Sequence, residues 1–209
     1  MNTKPYFDSA AQRNPAIEEL LELRRYSYLL LQLTRRDILA RYKRSFLGVA
    51  WTMLNPLGMM IVMSVVFSQL FNMVQNYPAY VLSGLIAWNF FSQGTSAAMS
   101  GIVWGGNLIQ RIYVPRTSFA ISAVLTALVN LVLSIVPLIA VMVFIKSPIT
   151  PAIAFLPISM LFLAAFTLGI GLILSTLAVY FPDVAEMYQI ILIAWMYLSP
   201  IIYPESIIP

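Results

Sequence analysis

The chain has 209 residues, 60% of them apolar and 10% charged, whereas a water-soluble domain carries roughly 45–50% and about 25%. Nine basic and five acidic side chains fall in the first 44 residues, which hold all of the net charge of +4, and no residue between Arg44 and Arg111 carries a formal charge. Those 66 uncharged residues far exceed the roughly 20 that cross a bilayer core of about 30 Å, which excludes an ordinary soluble protein and requires at least two membrane passes.

The first 30 residues lack the pattern of a signal peptide, since their longest apolar run begins at Tyr26, after the acidic cluster Glu18, Glu19 and Glu22. The amino terminus is therefore expected to be retained in the cytoplasm. Asn14 followed by Pro15 reads as an N-cap with proline at the first helical position, and the acidic cluster then occupies the first turns, where the helix dipole favours it. A moderately amphipathic helix is expected from Pro15. Thr34 to Asp37 has the spacing of a capping box and predicts a second short helix. That helix would place Ile38, Leu39 and Tyr42 on one side and Arg35, Arg36, Arg41 and Lys43 elsewhere, either lying at headgroup depth or serving as a basic flank. Residues 1–45 are thus read as a cytoplasmic, interfacial, amphipathic helical segment.

Residues 46–209 form one transmembrane domain with five hydrophobic segments, at 46–71, 80–100, 118–145, 151–181 and 187–203. Pro56, Pro157 and Pro200 should break or kink their helices, which lipid tolerates only where neighbouring groups satisfy the freed carbonyls. With a cytoplasmic amino terminus, 11 of the 12 basic residues fall inside and only Lys146 outside. The 72–79 and 146–150 loops are then external and the 182–186 loop internal. A ladder of small residues runs from Gly94 through Ser96, Ala97, Ala98, Ser100, Gly101 and Gly105 to Gly106, and the Gly101 and Gly105 pair suits close helix packing.

The five segments contain no Asp, Glu, Lys, Arg or His, so intramembrane catalysis and ion-coupled transport both lack their usual groups. Cys and His are absent altogether, which removes disulfides, thiol nucleophiles and the commonest metal ligands. The basic amino-terminal segment orients a membrane protein without any nucleic-acid partner. No Gly precedes a Lys, so the chain has no P-loop, and any ATP-driven work requires a separate subunit. Asp183 and Glu186 have the spacing of an N-cap and third helical residue. Tyr77, Tyr80, Trp88, Phe90, Phe91, Trp104, Tyr197 and Tyr203 are expected near external ends or interfaces, where they anchor helices at headgroup depth or line a conduit in which their flat faces stack on sugar rings.

Four stretches carry a family resemblance. Leu33 to Tyr42, followed by Ser45, Leu47, Gly48, Trp51, Leu54 and Pro56, resembles the approach to the first span of type-two ABC exporter permeases that move lipid-linked polysaccharides. Arg111 to Arg116 is similar to that family's connection between spans two and three, Tyr180 to Asp183 to its connection between spans four and five, and Leu198 to Pro204, with Pro209, to the end of its fifth span. The resemblance implies an all-α membrane protein that forms a homodimer, pairs with two copies of a separate ATP-binding subunit, and exports O-antigen, capsule or teichoic-acid-like polymers. This chain would bind no cofactor or metal, with ATP and Mg held by the partner. Arg35, Arg36, Asp37, Arg111, Arg116, Asp183 and Glu186 become candidates for coupling to the ATPase, and Tyr77, Tyr80, Trp88, Phe91, Trp104, Tyr197 and Tyr203 for lining the conduit. The family usually has a sixth span, not found in these 209 residues, so a fragment or truncated product is expected. The charge bias favours a bacterial plasma membrane. A passive channel or scaffold explains composition and topology equally well, and a drug permease shares the layout. An integral-membrane sugar transferase is disfavoured by the want of acidic residues facing a bilayer surface.

Overall fold

The computed structural model describes residues 23, 25–43, 47–67, 76–103, 117–148 and 150–204, and among them every regular element is helical. In chain order these are α1 (Ser27–Tyr42), α2 (Ala50–Phe67), α3 (Tyr77–Val103), α4 (Thr117–Phe144), a 3₁₀ turn at Pro151–Phe155 leading into α5 (Leu156–Tyr180), and α6 (Val184–Leu198). The helix expected from Pro15 falls mostly outside the described residues. Among the described residues, three stretches are long and apolar enough to cross a membrane: Ala50–Phe67, Thr117–Phe144 and Ile153–Tyr180. At 27 residues α3 has the length but is less apolar, while α6 is apolar with only 15 residues.

α1 corrects the capping-box expectation. The helix runs unbroken through Thr34, whose hydroxyl donates to the Leu30 carbonyl one turn back (2.9 Å) and caps nothing. A hydroxyl that finds an i−4 carbonyl is compatible with a helix interior, so the threonine alone did not mark a start. Nor is Leu39 set apart from the basic residues. It lies three or four positions from Arg35, Arg36 and Lys43 and lines one shallow groove with them. Leu33 is buried against Phe119 of α4, beside Leu29 and Ile102, which docks α1 where α3 ends and α4 begins.

α3 is the axis of the bundle. It packs most extensively on α4 and α5, then on α2 and α6. Val81, Leu82, Thr95 and Ala98 are fully enclosed. Close approach to α5 explains the small residues: a Cβ on Gly94 would sit 2.7 Å from Thr167 Cγ2, and one on Gly171 would sit 2.8 Å from the Ala98 Cβ. Without those carbons the helix backbones come near enough for dispersion and close packing to hold them together in lipid. A Cβ on Gly101, by contrast, would make only ordinary contact with Phe119 of α4, and Gly105 lies outside the described residues. The tight crossing is centred on Gly94, Ala98, Thr167 and Gly171, earlier in α3 than the expected pair.

The prolines act differently from one another. Pro56 lies inside α2 and leaves the Thr52 carbonyl without its helical donor, and the Ser134 hydroxyl of α4 lies 3.2 Å from that oxygen. The same hydroxyl lies 2.9 Å from the Asn130 carbonyl of its own helix, so its one proton is shared between the two oxygens and α4 compensates the Thr52 carbonyl in part. Pro157 sits in the first turn of α5, where no helical hydrogen bond is lost, and Pro200 follows the end of α6. Pro137 is buried inside α4.

Candidate functional site

The side-chain amides of the long helices concentrate in one place. α2, α3 and α4 enclose a cleft of about 280 Å³ halfway along α3 and α4, lined by Thr52 and Asn55 of α2, Asn89 and Gln93 of α3, and Asn130 and Ser134 of α4. These include every side-chain amide that α2, α3, α4 and α5 possess. Helical register brings them together: Asn89 and Gln93 are one turn apart on α3, Asn130 and Ser134 one turn apart on α4. Trp51, which is 55% exposed, and the buried Phe90 complete the wall, and no described lining residue carries a charge. An amide facing hydrocarbon forfeits its hydrogen bonds with water, so the cleft suits water or a polar ligand and does not suit lipid chains.

A second polar link joins α6 to α3. The Tyr188 and Thr95 hydroxyls are 2.7 Å apart and buried, and Thr95 also donates toward the Phe91 carbonyl (2.8 Å). Gln189 reaches Ser96 at 3.4 Å.

The aromatic candidates divide into two groups. Trp88 and Phe91 belong to a packed cluster with Trp195 of α6 and Phe166 of α5: ring centroids lie 5.2 Å apart for Phe91 and Trp195, and 5.6 Å, stacked, for Phe91 and Phe166. Tyr77, Tyr80 and Tyr203 form a clasp. The Tyr77 hydroxyl donates to the Ile202 carbonyl (2.9 Å), the Tyr80 hydroxyl shares its proton between the carbonyls of Pro200 (2.5 Å) and Tyr203 (2.9 Å), and the Tyr203 hydroxyl donates to Tyr197 (3.0 Å). Ile201 packs on Gly84, where an added Cβ would meet it at 3.0 Å. The clasp thus ties the segment after α6 to the beginning of α3. The Tyr197 side chain itself is 58% exposed. Trp104 lies outside the described residues.

The charged candidates lie at the opposite end of the bundle. Arg36 pairs with Asp37 (2.9 Å), both at the surface of α1, and Arg35 is exposed beside them. Asp183 immediately precedes α6 and Glu186 sits in its first turn, as the spacing predicts, but the Asp183 side chain makes no capping hydrogen bond; its carbonyl accepts from Met187 (3.0 Å). Val184 and Ala185 pack in the same cluster as Val103 at the end of α3, which brings this turn to the end of the bundle where α1 docks. Arg111 and Arg116 lie outside the described residues. The amide cleft, absent from the sequence-derived candidates, had one visible signal: four amides standing alone in helices that are otherwise free of amides and charges.

A helical bundle with uncharged spans and with Arg35, Arg36, Asp37, Asp183 and Glu186 at one end has the outline of a membrane transport subunit. The chain belongs to the ABC-2 type transporter family, which it matches over residues 28–209. It is similar to the O-antigen export system permease protein RfbA of Myxococcus xanthus, with 34% identity over 190 residues that cover 90% of this chain and 72% of that one. A protein of the same name from Klebsiella pneumoniae is 26% identical over 185 residues, covering 87% and 71%.

Proposed function

We propose that this chain is the membrane-spanning permease subunit of an ATP-driven exporter that moves a lipid-linked polysaccharide of the O-antigen, capsule or teichoic-acid type out of the cytoplasm. The observation that carries the reading is the similarity, over nine-tenths of the chain, to a permease of an O-antigen export system. ATP and Mg belong on a separate ATP-binding subunit present in two copies, and two copies of this chain form the conduit between them in the bacterial plasma membrane.

In this reading α2 to α6 are five spans, with the amino terminus in the cytoplasm. Two sets of contacts support the topology. Asn76 bonds Ser147 (3.2 Å) and Tyr77 bonds Ile202, which joins segments expected outside. Leu33, Ile102 and Phe119 meet at the end expected inside, so α1 and the α5–α6 turn carry Arg35, Arg36, Asp37, Asp183 and Glu186 toward the ATPase.

The test is deletion of the gene with plasmid complementation, reading polymer at the cell surface, together with mild extraction of the tagged chain. The expected result is loss of surface polymer, its restoration by the plasmid, and recovery of a P-loop subunit near one to one. Unchanged surface polymer and recovery of this chain alone would contradict the reading and favour a channel or scaffold.

A further inference from the structure

We propose that the groove on α1 lined by Gln32, Arg35, Arg36, Leu39, Ala40 and Lys43 binds the phosphodiester headgroup of an anionic phospholipid, with Arg35 and Lys43 as its cations. The site needs only a bilayer beside α1 and holds whatever the chain transports.

Arg35, Leu39 and Lys43, the last of them the C-cap of α1, are spaced four residues apart and so lie along one side of the helix over about 12 Å. Both cations are exposed, and among the described residues neither has an ion pair or a hydrogen bond. Asp37, the one acid in the α1 sequence, is taken up by Arg36 at 2.9 Å, and Gln32 donates to the Tyr28 hydroxyl (2.9 Å). Two cations are thus left in the groove with no acid of their own helix to meet them. A guanidinium forks onto two phosphate oxygens, and an ammonium meets them as a point charge.

The position of α1 supplies the ligand. Leu33, between the turns that carry the groove, is buried against Phe119 in the first turn of α4. With 28 residues α4 is about 42 Å long, the thickness of a bilayer with its headgroups at about 40–45 Å, so its first turn lies at headgroup depth. α2, another stretch that can cross a membrane, begins at Ala50, and the chain from Lys43 reaches it within about 25 Å at most. Tyr28, Leu31, Arg35 and Leu39 follow the spacing of one helical face, and the three apolar members are 72%, 65% and 56% exposed. Large apolar side chains interleaved with cations suit the boundary where apolar groups enter the acyl chains and cations meet phosphate. Free phosphate in water would use the cations alone.

The test is native mass spectrometry of the full chain released from mild detergent, with phosphatidylglycerol, phosphatidylcholine and inorganic phosphate as probes. The expected result is saturable binding of phosphatidylglycerol, tighter than that of phosphatidylcholine and not displaced by inorganic phosphate at the same concentration. Arg35→Gln and Lys43→Gln should each weaken it about fivefold, and together about thirtyfold. Lys43→Arg keeps the charge and should retain most of the binding. Lys146→Gln removes an exposed cation just beyond the other end of α4 and should leave the binding unchanged.

An unchanged size-exclusion peak checks that each variant folds, and the two Lys43 variants decide the charge dependence if the Arg35 variants do not. Equal affinity for the two lipids, displacement by phosphate at equal concentration, or phosphatidylglycerol binding unaffected by the double variant would each overturn the proposal. In the last case, loss of a copurifying P-loop subunit from the double variant would assign the groove to a protein partner.

Discussion

α3 and α5 cross at Gly94 and Gly171, yet they face opposite environments. α3 carries Ser, Thr, Asn and Gln along much of its length and is the most enclosed helix, with Leu82, Thr95 and Ala98 fully shielded. α5 is more apolar and has only 6% of its membrane-crossing stretch buried, with Leu161 and Phe162 each about 70% exposed. In water this arrangement would be inverted, because burial there follows hydrophobicity. In a bilayer the solvent is itself apolar, so Leu and Phe gain little by leaving it. Small residues gain backbone proximity at a helix crossing, and polar ones gain partners, as Thr95 does from Tyr188. What sorts the two helices is the cost of exposing polar groups to lipid.

The sharpest way to break this contrast is at the crossing itself. Gly171→Leu forces a side chain into the space held by Ala98, and the expected outcome is loss of the monodisperse peak on size-exclusion chromatography; Gly169→Leu, two residues away with nothing within 4 Å, should leave the peak in place. A milder probe is Gly94→Ala, expected to destabilise by about 1–3 kcal/mol through overpacking against Thr167. Thr167→Ser removes the clashing methyl, and the double variant should recover most of the loss in a denaturation series. Next is Ser134→Ala, which removes the donor shared between the Thr52 and Asn130 carbonyls and should cost about 0.5–1.5 kcal/mol. Pro56→Ala restores a helical donor to the Thr52 oxygen, so the effect of Ser134→Ala should shrink in its presence.

Smaller still, Tyr188→Phe removes a buried interhelical hydrogen bond worth about 0.6 kcal/mol in comparable bundles. At the bottom of the series, replacing Arg36 and Asp37 together by Ala should leave stability unchanged, because exposed ion pairs contribute little. The same change should lower export if α1 transmits the ATPase stroke, and surface polymer levels check it.

The membrane class and the helical architecture were legible because they depend on composition: a long uncharged stretch has few alternatives. Each of the five hydrophobic segments holds a helix, and three of those among the described residues are long and apolar enough to cross a membrane. Thr34 misled because a capping box is a local pattern, and a threonine inside a helix with a carbonyl one turn back looks the same in sequence. The ladder of small residues contained Gly94 and Ala98, but Gly101 and Gly94 are both small, and only the crossing point, set by tertiary packing, distinguishes them. Pro56 was recognised as a break, but its donor, Ser134, is 82 residues away by the hydrogen bond it makes, and no local pattern joins them. The amide cleft is of the same kind. Its members lie on three helices, and only their packing places them around a common space.

The most direct measurement of the α3–α5 contrast is photo-labelling by lipid. The chain is placed in bilayers containing a phospholipid with a diazirine midway along its acyl chain, illuminated, digested and mapped by mass spectrometry. The expected result is adducts on α5 at Leu161, Phe162 and Ile173, with the buried Val81, Leu82, Leu85, Phe90, Phe91 and Ala98 of α3 unlabelled. Labelling of those α3 residues at a level equal to α5 would contradict the enclosed position of α3 and, with it, the polar cleft built on its flank.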